Sequence, residues 1–110
     1  MDTAEFKKQS LALCQWAAGN LKESAPVFFV NGYLGHKIEL INEVVPRLVI
    51  TEADNGGLNY GGDVIHMDAA DVDEMYFDED EYKFMITTES GQGYDIEVYQ
   101  LERMEFPHGE

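Results

Sequence analysis

Pro26 separates two hydrophobic periods, and that change of period limits the folds open to this chain. Before it, Phe6, Leu13, Ala17 and Leu21 recur near helical spacing, with Trp16 beside the stripe. Such a stripe predicts a helix over residues 2–22 with one buried face. Asp2, followed three residues later by Glu5, has the spacing of a capping box, with Asp in place of Ser or Thr. Gly19-Asn20 loosens the end, and Pro26 cannot continue a helix because its ring removes the backbone donor.

Beyond Pro26 the period is two, the signature of half-buried strands. "VFFVNGYLG" reads as a short strand with an Asn31-Gly32 turn, and "HKIELIN" as a strand that follows it. Pro46 interrupts the chain and marks a strand start or an edge, and "RLVITE" resumes as a strand. Residues 53–63 carry two Gly-Gly pairs and an Asn55-Gly56 signal, which predicts a long hairpin loop with Leu58 and Tyr60 near its tip. "VIHM", "DVDEMYF", "YKFMITT" and "YDIEVYQL" complete the series, with "DEDE" and "ESGQG" as turns. Residues 105–110 should fray.

The order predicts an α+β class: an N-terminal helix on a strongly bent antiparallel sheet or small barrel of five to six strands. The β region spans 27–104, and the 110 residues fit one domain with one modest core. This layout resembles small SH3-like or Sm-like barrels. The resemblance is one of layout and implies a fold only.

The charge is unusual. Twenty-two Asp and Glu face seven Lys and Arg, a formal charge of -15. A net charge of roughly 2–8 in magnitude keeps a small domain soluble, and the excess repels itself. Residues 68–82, "DAADVDEMYFDEDEY", hold eight of the acids and no basic residue, yet Val72, Met75, Tyr76 and Phe77 lie among them. Apolar residues at those positions predict a strand followed by a charged turn. Strict alternation would set Asp71, Asp73 and Met75 on one face, opposite Val72, Glu74 and Tyr76. Residues 3–22 contribute one acid, Glu5, against Lys7, Lys8 and Lys22, so the charge is polarised along the chain.

Spacing removes most chemistries. A calcium loop of the EF-hand type needs Gly at its sixth position, where loops begun at Asp71 or Asp78 place Tyr76 or Lys83. His36, His66 and His108 lack the short spacings of transition-metal ligands. The glycine-rich loop leads to a strand and is flanked by Asp54 and Asp63, unlike a phosphate cradle before a helix. No nucleophile elbow, metalloprotease motif or P-loop occurs. Cys14 is the one cysteine, sits in the helical stretch and reads as an inert packed thiol in a reducing compartment. No secretory leader or membrane span is recognisable, so the expected location is the cytoplasm.

These features predict a non-enzymatic protein without metal or cofactor, and they argue against nucleic acid or membrane as a partner. The expected partner is a basic, nucleic-acid-binding protein, and a homodimer is also compatible with the sequence. The expected contact residues are Asp68, Asp71, Asp73, Glu74, Asp78, Glu79, Asp80 and Glu81, with Tyr60 and Tyr76 as aromatic anchors. In physical type this resembles DNA mimics, anti-CRISPR proteins of phages and mobile elements among them. An immunity protein or antitoxin against a basic nuclease shares the same electrostatics. A small ligand-binding barrel or enzyme, with the Gly-rich loop as its lid, is the remaining alternative.

Overall fold

A computed structural model describes residues 1–18, 27–53 and 64–99. The chain forms one helix, α1 (Thr3–Ala18), and seven strands. These are β1 (Val27–Val30), β2 (Tyr33–Ile41), β3 (Arg47–Glu52), β4 (Val64–Asp68), β5 (Val72–Asp78), β6 (Lys83–Thr88) and β7 (Gly93–Tyr99). All pairings are antiparallel, and the sheet order is β4-β3-β2-β1-β7-β6-β5.

The helix starts where its cap predicts. Asp2 Oδ2 accepts from the Glu5 N–H at 3.1 Å, and the Asp2 carbonyl accepts from the Phe6 N–H at 2.9 Å. The Glu5 carboxylate turns along the helix to accept from Gln9 Nε2 at 3.0 Å. Phe6, Leu13, Trp16 and Ala17 are buried, as the stripe requires. Residues 19–22, part of the expected helix, lie outside the described residues, as do 53–63 beyond Ala53 and 100–110.

Seven strands replace the five to six expected. The Asn31-Gly32 turn separates β1 and β2 completely, with Asn31 at φ 51° and Gly32 at φ 84°. Two successive left-handed residues make the two-residue hairpin whose twist matches that of the strands it joins. Asn31 also ties this hairpin to β7, donating from Nδ2 to the Gly93 carbonyl at 3.2 Å and accepting the Asp95 N–H at 2.8 Å. Pro46, buried, stands immediately before β3 and so costs that internal strand no ladder hydrogen bond.

The sheet is two meanders, β2–β3–β4 and β5–β6–β7, joined through β1, which pairs with both β2 and β7. Residues 69–71 link β4 to β5, although these strands form the two ends of the sheet. Only a strongly bent sheet allows such a short link between its edges. No ladder joins β4 to β5 among the described residues, so the sheet is not closed. Its concave face carries Phe28, Val30, Leu48, Ile50, Met67, Val72, Met75, Phe84, Ile86 and Ile96, which form one core with Phe6, Leu13 and Trp16 of the helix.

Close packing at the bend is visible at Gly35 in β2. The ring of Phe28 occupies the space that a Cβ there would need, and the β2–β3 register shifts between Gly35 and Lys37. Glycine inside a strand here serves a close approach rather than a turn.

Candidate protein-binding surface

The acidic segment forms the last strand of the sheet and the turns at its two ends. Val72 and Met75 of β5 are buried and carry the strand onto the core. A register shift between Val72 and Glu74 inserts Asp73 as an extra residue. This bulge changes the phase of the strand and corrects the expected face assignment. Val72 and Met75 point to the core, whereas Asp73, Glu74 and Tyr76 are exposed. Asp73 and Met75 therefore do not share an outward face.

Three of the expected contact acids also build turns. Asp68 Oδ1 accepts from the N–H groups of Ala70 at 2.9 Å and Asp71 at 3.2 Å, and Asp71 Oδ2 accepts from the Asp68 N–H at 3.1 Å. At the other end of β5, Asp78 Oδ1 accepts from Asp80 N–H at 3.0 Å and Glu81 N–H at 3.2 Å. Aspartate suits these positions because its short carboxylate can stand in for a backbone acceptor. Glu79, Asp80 and Glu81 are left exposed on a turn that closes with Tyr82 in the left-handed region, φ 56°.

Tyr82 anchors that turn. Its ring meets Phe77 of β5 at 5.3 Å and Trp16 of α1 at 5.9 Å, and Trp16 meets Phe77 at 5.2 Å. All three contacts are edge-to-face, with interplanar angles of 83°, 71° and 75° in the same order. At the opposite end, the Met1 amino group donates to the carbonyls of Ala69 at 3.0 Å and Val72 at 2.9 Å. The helix thus lies against both acidic turns, one through its N-terminus and one through Trp16.

Registration across the sheet brings in two acids absent from the expected site. Tyr76 stands opposite Met85, which stands opposite Asp95, and Asp78 stands opposite Lys83. Lys83 Nζ lies 3.3 Å from Glu97 and 3.7 Å from Asp95. The hydrogen bond and charge of Glu97, then the charge of Asp95, hold the Lys83 ammonium protonated above its ordinary range. The convex face of β5–β6–β7 therefore carries Glu74, Asp78, Asp95 and Glu97, with Lys83 opposite Asp78 and paired with the two acids of β7. The alternation of "YDIEVY" already marked Asp95 and Glu97 as the outward residues of β7, and strand order alone relates them to β5.

The remaining expected features are soon placed. Tyr60 and Leu58 lie outside the described residues. Cys14 is half-buried, and its thiol is pushed up to about 11 by burial first and by the charge of Glu39 second. A thiol so seldom ionised near neutrality is a poor nucleophile and a poor metal ligand. His66 is exposed on β4 in register with Val49. Among the described residues, no group of three or more His, Cys, Asp and Glu is arranged to hold a metal ion. No helix among them is long and apolar enough to cross a membrane. Comparison with protein-family models, with curated proteins and with solved structures finds no match to the chain.

Proposed function

We propose that this protein is a non-enzymatic inhibitor that binds the basic, nucleic-acid-binding surface of another protein. The observation that supports this most is the anchoring of its acidic turns. Asp78 caps the 79–82 turn, and Tyr82 fastens that turn to Phe77 and Trp16. A soluble face needs charge but not fixed charge. A mimic of a phosphate backbone needs both, because duplex DNA presents a rigid array of about one charge per ~1.7 Å of axis. Clustered carboxylates of this kind also steer a basic partner and make its association salt-sensitive.

In this reading the protein acts in the cytoplasm as an anti-defence protein of a phage or mobile element, in the manner of a DNA mimic. The near-meeting of β4 and β5 further supports a view of the sheet as an open barrel of SH3-like or Sm-like kind.

The test is competition. The protein is titrated into complexes of duplex DNA with purified basic defence nucleases and, separately, with basic toxin nucleases. Displacement of DNA by the wild type is expected, with loss of displacement when Glu79, Asp80 and Glu81 are all changed to Lys. Displacement from toxin nucleases alone would identify an immunity protein instead. Equal displacement by the charge-reversed variant would overturn the acidic-surface reading.

A further inference from the structure

We propose that the convex face of β5–β6–β7 seats an arginine side chain of the partner, its guanidinium over the ring of Tyr76 and its stem along Met85. This rests on the reading of the partner as basic and names the residue that the partner presents.

Tyr76 projects from the middle of β5 on the side away from the core, where it is 41% exposed, while Met75 and Phe77 turn inward. Across the sheet Tyr76 stands opposite Met85, and Met85 opposite Asp95. Paired residues share a face, so ring, thioether and carboxylate form one outward row. Glu74 and Asp78 lie two residues to either side of Tyr76 along β5, about 6.6 Å away at a rise of ~3.3 Å per residue. An aromatic ring is thus set between two carboxylates on an outward sheet face.

These groups select the occupant. A nucleic acid or a second copy would bring more negative charge to a chain of formal charge -15, and is repelled. An apolar side chain would strip water from the flanking carboxylates without pairing them. A cation suits both ring and carboxylates, and arginine suits them better than lysine. Its planar, weakly hydrated guanidinium stacks on an aromatic face while its edge donates to carboxylates, and its aliphatic stem packs well on a polarisable thioether. Lys83 stands opposite Asp78 but reaches towards β7, 3.3 Å from Glu97 and 3.7 Å from Asp95. Its charge is thereby directed to β7 rather than to Glu74 and Tyr76. The convex shape of the face also complements the positively charged groove of a nucleic-acid-binding protein.

The probes are capped oligoarginine and oligolysine of equal length, titrated by calorimetry at low salt into the wild type, Tyr76→Phe and Tyr76→Leu. The wild type should bind oligoarginine more tightly than oligolysine, and Tyr76→Phe should keep that preference. Tyr76→Leu should weaken oligoarginine binding by about threefold or more and leave oligolysine binding unchanged. In the wild type itself, nuclear magnetic resonance should show oligoarginine shifting the Tyr76 ring protons and the Met85 methyl ahead of the methyls of exposed Val44 and Val45. If those signals stay in place while oligoarginine binds, or if Tyr76→Leu keeps the full preference, the arginine seat is wrong while the acidic-surface reading survives. If neither peptide binds the wild type at low salt, both fall.

Discussion

The indole of Trp16 and the ring of Tyr82 meet edge-on at 5.9 Å, which joins the N-terminal helix to the last residue of an acidic turn. Trp16 is almost fully buried, at 3% exposure, and also supports Phe77. Trp16→Ala should destabilise the fold by about 3–5 kcal/mol, the usual range for deleting a buried aromatic. In chemical denaturation this appears as a lower midpoint. In hydrogen exchange, residues 77–83 should lose protection more than β2 and β3 do, and a uniform change would show that the trio does not hold the turn.

Asp78 offers a way to separate shape from charge. Asp78→Asn keeps the Oδ1 acceptor for the Asp80 and Glu81 N–H groups but removes the charge. Asp78→Ala removes both, and should cost about 1 kcal/mol more than the asparagine variant, in line with other side-chain caps of backbone donors. Urea denaturation of the two variants side by side measures this difference. Equal midpoints would mean that the cap contributes nothing.

At Gly35, a Cβ would overlap the ring of buried Phe28. Gly35→Ala should therefore destabilise the protein by about 1–3 kcal/mol through displaced packing. The double variant with Phe28→Leu should recover part of the loss, and a double-mutant cycle reads the coupling. Strict additivity would place the cost in the backbone instead.

Alkaline pH should weaken the fold through two groups of the same sign. The Cys14 thiol is raised in the folded state from 9.0 to about 11, so the protonated form is favoured by folding. That contribution is complete below pH 9.0 and is lost as pH rises towards about 11. Lys83 is also raised, from 10.5, by Glu97 and Asp95, so its contribution is complete below 10.5 and lost as pH passes its folded-state value. Denaturation midpoints should fall over this window, and the fall should shrink in Cys14→Ala. An unchanged pH profile in that variant would remove the thiol from the explanation.

Local signals carried much of the fold in the sequence. Asp2 with Glu5 marked the helix start, Asn31-Gly32 a tight turn, and the alternation in "RLVITE" and "YKFMITT" strands that the structure contains. Each of the seven strands has its own segment in the sequence, "VFFV" among them, so the expected total of five to six fell short of the segments themselves. The side-chain phase of β5 was misread because a bulge adds a residue without changing the composition around Asp73. The acids of β5 and its turns were legible as one run of sequence. Asp95 and Glu97 were not assigned to that surface, because their approach depends on β6, with Lys83, lying between β5 and β7.

The position of β1 has a kinetic consequence. Each meander can form from neighbouring hairpins, since β2–β3–β4 and β5–β6–β7 pair in chain order. The four-residue strand β1 finds β2 through a tight turn but must meet β7 from the far end of the chain, Val30 against Ile96. Closing so long a loop delays the reward of the contacts it makes. The β1–β7 seam should then set the refolding rate, so that in stopped-flow refolding mutations along it slow folding more than equal losses within either meander.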